Sequence, residues 1–146
     1  MATETEIQAD YLISGAETLG VKLTETQAQQ FVRYYAELAR WNQRVNLTSI
    51  TGWEAVQTRH YLDSLAAAKA LPAEMLQAGS FIDVGSGGGF PGIPMKMAFP
   101  GMRGTLLDAT AKKTAFLEHA REALDLRHIT VRTGRAETLA HEDELR

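Results

Sequence analysis

The sequence contains no cysteine. That absence excludes disulfide staples, thiolate nucleophiles and zinc sites built on sulfur. It also lacks any apolar run approaching the roughly 18 residues of a membrane-spanning helix. The opening Met1-Ala2-Thr3-Glu4-Thr5-Glu6 lacks the basic-then-apolar order of a secretory signal. Nor is there an excess of basic charge: 15 Lys and Arg stand against 18 Asp and Glu, for a net charge of -3. A whole-chain electrostatic footprint for nucleic acid is therefore missing, and only a local patch stays open. No internal repeat or low-complexity tract is found, so solenoids and linkers are not expected. What is present is 146 residues, 45% hydrophobic and 23% charged, a composition for one folded, soluble, cytoplasmic domain. That length is short for a two-substrate enzyme built on an open α/β sheet.

Charge is unevenly spread. Residues 1–30 carry the acids Glu4, Glu6, Asp10, Glu17 and Glu25 and the single base Lys22. Residues 31–60 reverse this, with Arg33, Arg40, Arg44 and Arg59 against Glu37 and Glu54. The first third reads as helix. Thr24 or Thr26 is placed to cap a segment whose apolar positions Phe31, Tyr34, Tyr35, Leu38, Trp41 and Val45 recur at helical spacing. Arg33, Glu37, Arg40 and Arg44 fall on another face. A turn follows at 45–52, then helices over about 53–59 and 61–68, ending near Pro72.

After Gly79 the pattern changes to short apolar strands alternating with helices. Strands are expected at 80–84, 105–108 and 129–131, with helices from about Pro91, over 111–126, and from Glu137 onward. Pro91 or Pro94 is tolerated in a first helical turn, where the N–H groups lack partners. Strand–helix alternation at this spacing predicts a parallel, doubly wound α/β sheet with right-handed crossovers. The layout is a helical N-terminal cap, residues 1–78, on an α/β segment, residues 79–146.

The chemistry concentrates in Asp83-Val84-Gly85-Ser86-Gly87-Gly88-Gly89-Phe90-Pro91-Gly92. Glycines after a strand let backbone approach a ligand, and the following helix offers unpaired N–H groups. A P-loop is excluded, because Ile93-Pro94 stand where Lys-Ser/Thr must reach phosphate and magnesium. The dinucleotide fingerprint fails narrowly: Gly85 and Gly87 fit, but Phe90 fills the third glycine position, unless Gly88 and Gly89 shift the register. Asp83, Gly85, Gly87 and Gly89 fit an acidic-x-Gly-x-Gly-x-Gly pattern instead. S-adenosylmethionine carries an ammonium and a sulfonium, and Asp83 at the strand end suits such a cation. Asp108 ends the second strand 19 residues after Gly89, where an acid accepts hydrogen bonds from ribose hydroxyls of either S-adenosylmethionine or NAD. Glu137, in Gly134-Arg135-Ala136-Glu137, follows the third strand, where it would border an adenine or simply serve as a first-turn helix acid. Asp108 could equally cap the helix of Lys112 and Lys113.

Asp83 to Pro94 resembles motif I of the bacterial 16S rRNA guanine-N7 methyltransferases, the G-type small-subunit enzymes also called glucose-inhibited division protein B. The Phe90-Pro91-Gly92-Ile93-Pro94 tail is more specific than the glycines. Trp41-Asn42, Asn46-Leu47-Thr48-Ser49-Ile50, Arg59-His60-Tyr61-Leu62-Asp63-Ser64-Leu65, Leu106-Leu107-Asp108-Ala109 and Gly134-Arg135-Ala136-Glu137 are similar to further family signatures. The resemblance runs from about residue 15 to the end. It implies a class I S-adenosylmethionine-dependent methyltransferase fold acting on N7 of a guanine in 16S rRNA of the small ribosomal subunit. It also implies a cofactor pocket lined by Gly85, Phe90, Asp108, Ala136 and Glu137. Family members continue through four more strands, so only the first three strands are expected here, and an inactive cofactor-binding fragment is one expectation.

Guanine N7 is a lone-pair acceptor without a proton, so the reaction needs no general base. No catalytic acid–base residue and no metal site are therefore expected. His60 and Asp63 read as a structural or RNA-facing pair, since no third ligand accompanies them. Arg33, Arg40, Arg44, Arg59 and His60 are the candidate RNA contacts, to phosphate rather than to bases. Against this, Glu37 pairing Arg33 or Arg40 would make the same residues a solvated helix face. A NAD-dependent oxidoreductase and a non-catalytic cofactor- or RNA-binding module remain as alternatives.

Overall fold

The computed structural model describes residues 8–139. The acidic Glu4 and Glu6 and the terminal Arg146 lie outside this range. The first helix, α1, covers Asp10–Thr18, and the second, α2, covers Glu25–Asn42. Thr24 caps α2: its hydroxyl accepts the Gln27 N–H at 3.1 Å, and the Gln27 side chain accepts the Thr24 N–H at 2.8 Å. This reciprocal box satisfies two of the orphan donors at the helix start. Helix α2 buries Phe31, Tyr34 and Leu38, as the periodicity predicts, and Val32 in a second, smaller cluster with Ala9 and Ala28.

The two short helices expected next are instead one continuous run. It consists of α3 (Trp53–Val56), a π turn (Gln57–Leu62), α4 (Asp63–Ala66) and a 3-10 turn (Ala67–Ala70). The π turn inserts a residue into the helical register, a feature that apolar spacing does not reveal. It places Gln57 and Tyr61 inside, with Thr58 and Arg59 outside. A short α5 (Ala73–Ala78) leads into the sheet.

Strands β1 (Ser80–Val84), β2 (Arg103–Asp108) and β3 (Ile129–Thr133) form a parallel sheet in the order β1-β2-β3. Val84 pairs with Leu107, and Asp108 with Thr133, so the three carboxyl ends are in register. The connections are α6 (Gly92–Ala98) and α7 (Ala111–Ala123), and α8 (Ala136–Leu139) follows β3. This is the parallel α/β segment that the strand–helix alternation predicts.

One hydrophobic core joins cap and sheet. Fully buried Phe31, Tyr34 and Tyr61 belong to the same cluster as Ile93 of α6, Leu106 of β2 and Phe116 of α7. At the Gln27 end of α2, the amide N–H groups donate to the carbonyls of Met97 and Ala98, tying α2 to the end of α6. Among the described residues, no helix is long and apolar enough to cross a membrane.

Candidate cofactor site

In an open parallel sheet, ligands bind outside the carboxyl ends of the strands. The glycine loop lies there, between Val84 and α6. Gly85 has φ of +73° and Gly89 has φ of +100°, conformations that L side chains rarely adopt. The two glycines meet different surroundings. A Cβ built on Gly85 would have no atom within 4 Å, whereas one on Gly89 would lie 2.5 Å from Ile93 Cδ1 and 2.6 Å from the Tyr34 hydroxyl. Gly85 therefore leaves open space above the strand end, and Gly89 admits the cap.

The close helix–strand contact that a third fingerprint glycine normally permits is made by Gly92. A Cβ there would sit 2.5 Å from Leu106 Cδ2 and 2.9 Å from Asp83 Oδ2. Phe90 is thus no obstacle, and the register shift runs forward to Gly92 rather than back to Gly88 or Gly89.

Asp83 lies beneath the loop. It is buried on the α6 side of β1, and its Oδ2 accepts the Gly92 N–H at 2.9 Å. The Ser86 hydroxyl donates to the Asp83 carbonyl at 2.9 Å. Burial pushes the Asp83 carboxyl above the usual aspartate range; the Gly92 N–H and Ser86 oppose this, and neighbouring Asp108 adds to it. Its visible work is to fasten the first turn of α6.

Asp108 is where the strand-end loops meet. Its Oδ2 accepts the Gly87 N–H of the first loop at 3.0 Å, and its Oδ1 accepts the Thr110 N–H of the second at 2.9 Å. Its backbone carbonyl accepts the Gly134 N–H of the third at 2.9 Å. Asp108 does not act as the side-chain cap of α7, whose N-cap is Thr110. Ala136 is half-buried and Glu137 exposed at the start of α8, with Glu137 Oε1 4.0 Å from Arg135 Nη1. Asp83 and Asp108 thus stand in β1 and at the end of β2, Gly85, Gly87, Gly89 and Phe90 on the first loop, and Ala136 and Glu137 at the start of α8.

The cap packs onto this loop through Tyr34, read from the sequence only as an apolar helix position, and through His60, read as an RNA contact or a partner of Asp63. Tyr34 of α2 donates its hydroxyl to the Gly88 carbonyl, and burial, with Asp83 nearby, raises that phenol well above its ordinary pKa. His60 lies flat on Phe90, with ring centroids 4.0 Å apart and planes 4° from parallel, and its Nε2 is 2.7 Å from the Thr48 hydroxyl. Asn42 holds the turn containing Thr48. Its Oδ1 accepts the Leu47 and Thr48 N–H groups at 2.8 and 3.0 Å, and its Nδ2 donates to the Thr48 carbonyl at 3.0 Å. Burial holds the His60 imidazole below the usual histidine pKa, against the opposing pull of Asp63.

The candidate RNA residues do not form one cluster with His60, which is turned onto the loop. Arg33, Arg40, Arg44 and Arg59 are exposed. Arg40 is paired with Glu37, which also contacts His119 Nε2 at 2.5 Å, and the Arg44 guanidinium lies 5.5 Å from the Trp41 ring centroid. Burial opposes ionisation of Glu37, but Arg40 and His119 outweigh it and hold the carboxyl below its ordinary range.

The chain matches the family described as rRNA small subunit methyltransferase G over residues 27–145. It is 46% identical over 137 residues to Ribosomal RNA small subunit methyltransferase G of Roseiflexus sp. (strain RS-1), covering 94% of this chain and 57% of that protein. The protein of the same name in Halalkalibacterium halodurans is 42% identical over 130 residues, covering 89% of this chain and 54% of that one. That of Ectopseudomonas mendocina is 40% identical over 134 residues, covering 92% and 61% respectively. The chain thus spans a little over half the length of the curated relatives it matches. By the match over residues 27–145 and these identities, the chain belongs to the rRNA small subunit methyltransferase G family.

Proposed function

We propose that this chain supplies the cofactor-holding part of an S-adenosylmethionine-dependent methyltransferase that acts on N7 of a guanine in 16S rRNA. The observation that carries this reading is the convergence of three strand-end loops on Asp108, beside the open backbone of Gly85. The arrangement supports a ribose-bearing ligand that approaches backbone closely. Asp108 keeps a second lone pair on each carboxylate oxygen for a ribose hydroxyl after accepting Gly87 and Thr110. S-adenosylmethionine, when bound, supplies an electrophilic methyl group on a sulfonium.

The chain's own contribution is placement. Gly85 and Gly87 let backbone come close, Phe90 forms an apolar wall braced by His60, and Ala136 and Glu137 border the far side, as for an adenine. Asp83 fixes the loop from below. Because guanine N7 has no proton to lose, none of these residues has to act as a base. In-line positioning of nucleophile, methyl and sulfur is worth about 7–11 kcal/mol in well-oriented reactions.

Calorimetry of the chain with S-adenosylhomocysteine and with NAD tests the cofactor reading. Binding of the former and not the latter is expected, and the reverse preference would overturn it in favour of an oxidoreductase. Transfer of labelled methyl to naked 16S rRNA or to assembled small subunits then reports what this length of chain does alone. Cofactor binding without transfer marks these residues as a holding module; turnover shows that they suffice.

Arg33, Arg40, Arg44 and Arg59 are our proposed phosphate contacts. Reversing Arg40 and Arg44 to Glu should weaken rRNA binding while leaving S-adenosylhomocysteine affinity unchanged. Each lost phosphate contact should also lower the salt slope of binding by roughly 0.7 to 0.9. Unaltered RNA binding would remove this face from the interface.

A further inference from the structure

The segment Gly87-Gly88-Gly89 has no side chains to hold it, and glycine loses more conformational freedom on ordering than any other residue. One peptide unit within it, Gly88–Gly89, is nevertheless pinned at both ends. The Gly89 N–H donates to the Ser86 carbonyl at 2.7 Å, and the Gly88 carbonyl accepts the Tyr34 hydroxyl. The first bond is local to the loop, whereas the second comes from α2, 54 residues away in the chain. Gly88 and Gly89 are buried, so water does not stand ready to replace the phenol as donor.

The surroundings fit this contact. Gly89 leaves room for the hydroxyl, since a Cβ there would lie 2.6 Å from it. One helical turn beyond Tyr34, Leu38 reaches the same loop, and its Cδ1 would lie 3.2 Å from a Cβ on Gly88. Tyr34 is fully buried, with its ring 5.5 Å from the ring centroids of both Tyr61 and Phe90, so close packing keeps it aimed at the loop. Burial and nearby Asp83 raise the phenol well above its ordinary pKa, so it stays protonated and able to donate. On the other side, the Gly87 N–H donates to Asp108 Oδ2 at 3.0 Å. The loop is thus strung between the acid at the end of β2 and a phenol of the cap. Flipping the Gly88–Gly89 peptide would break both of its bonds, and a glycine on either side of it offers no steric bar to the flip.

We infer that Tyr34 is a positioning residue of the cofactor site: from the cap, it sets the orientation of the Gly88–Gly89 peptide and with it the fraction of chains whose loop is shaped to take S-adenosylmethionine. This deepens the cofactor reading above and rests on it. Apparent affinity falls in proportion to the competent fraction, so the hydroxyl acts on binding without touching the ligand. Tyr34→Phe removes the hydroxyl and keeps the ring. Its control is Tyr61→Phe, in the same core cluster and equally buried, whose hydroxyl donates at 2.9 Å to the Phe31 carbonyl rather than to the loop. Each variant should lose about 3–8 °C of melting temperature, as for one buried hydrogen bond. In calorimetry with S-adenosylhomocysteine, Tyr34→Phe should bind about tenfold more weakly, and Tyr61→Phe within roughly twofold of the parent chain. Without ligand, hydrogen exchange at the Gly87 and Gly89 amides should be about five- to tenfold faster in Tyr34→Phe alone. Equal losses of affinity in the two variants would overturn the assignment. So would unchanged affinity, or unchanged exchange, in Tyr34→Phe. A parent chain that binds no S-adenosylhomocysteine would overturn the cofactor reading instead, and exchange at Gly87 and Gly89 would then decide by itself whether Tyr34 holds the loop.

Discussion

An ideal Cβ on Gly92 collides with Leu106, which is fully buried, and with the carboxylate of Asp83, which is itself fastened to the Gly92 N–H. Neither neighbour is the free end of an exposed side chain, so the backbone of α6 has to move away from β2. Gly92→Ala should therefore lower stability by about 1–3 kcal/mol, the usual range for overpacking a core. Gly85→Ala poses the opposite problem. Its Cβ meets nothing within 4 Å, but it demands φ of +73° and fills open space at the strand end. Urea unfolding and S-adenosylhomocysteine calorimetry of the two variants should separate these roles. Gly92→Ala should lose mainly stability, and Gly85→Ala should lose more binding than its backbone strain of about 1–2 kcal/mol explains. Identical losses in both assays would mean that the loop is only a turn.

The π turn and the turn held by Asn42 act together on the glycine loop, because His60 of the first stacks on Phe90 and bonds Thr48 of the second. Burial lowers the folded-state pKa of His60 below its unfolded value. The unfolded chain then binds the proton first as pH falls, so stability declines on acidification from about pH 6.5 down to the folded-state value. Above about pH 6.5 this contribution is fully present. His60→Phe keeps a flat ring on Phe90 and removes the titration. Melting temperatures between pH 7.5 and 5.5 should accordingly fall less in the variant than in the parent chain, and parallel falls would show that His60 titrates freely. This coupling lay beyond the sequence. Short apolar runs, the glycines and the acid at the end of β2 are local signals, and they sufficed for three strands and for the position of Asp108 at a strand end. The stack joins residues 30 apart, and the π turn that orients His60 leaves no spacing signature. Asp83 is intermediate: alternation along β1 puts it on the Phe81 face, under α6, but the hydrogen bond to Gly92 depends on the loop's path.

The same alternation has a consequence for the whole molecule. Helices α6 and α7 and the cap pack into one core with the sheet, and Phe81 and Asp83 face α6. On the opposite face of β1, Ile82 is 49% and Val84 60% exposed. Among the described residues β1 pairs with β2 alone, leaving its other edge free. A free edge bordered by β-branched apolar side chains is a template for pairing with another chain. Parallel sheets of this kind bury both faces in stable α/β proteins. The chain in solution should therefore associate as concentration rises, through β1 rather than through the charged cap. Replacing Ile82 and Val84 together with Lys places charge on the exposed face without touching the buried Asp83. Sedimentation across a concentration series should show the parent chain growing in mass and the double variant remaining monomeric, with S-adenosylhomocysteine affinity retained in the variant. A parent chain that stays monomeric throughout, or a variant that associates equally, would place the molecule's adhesive surface elsewhere. Retained affinity would further show that the site above Gly85 and Asp108 is assembled by the three strand ends and the cap, independently of what covers the far face of β1.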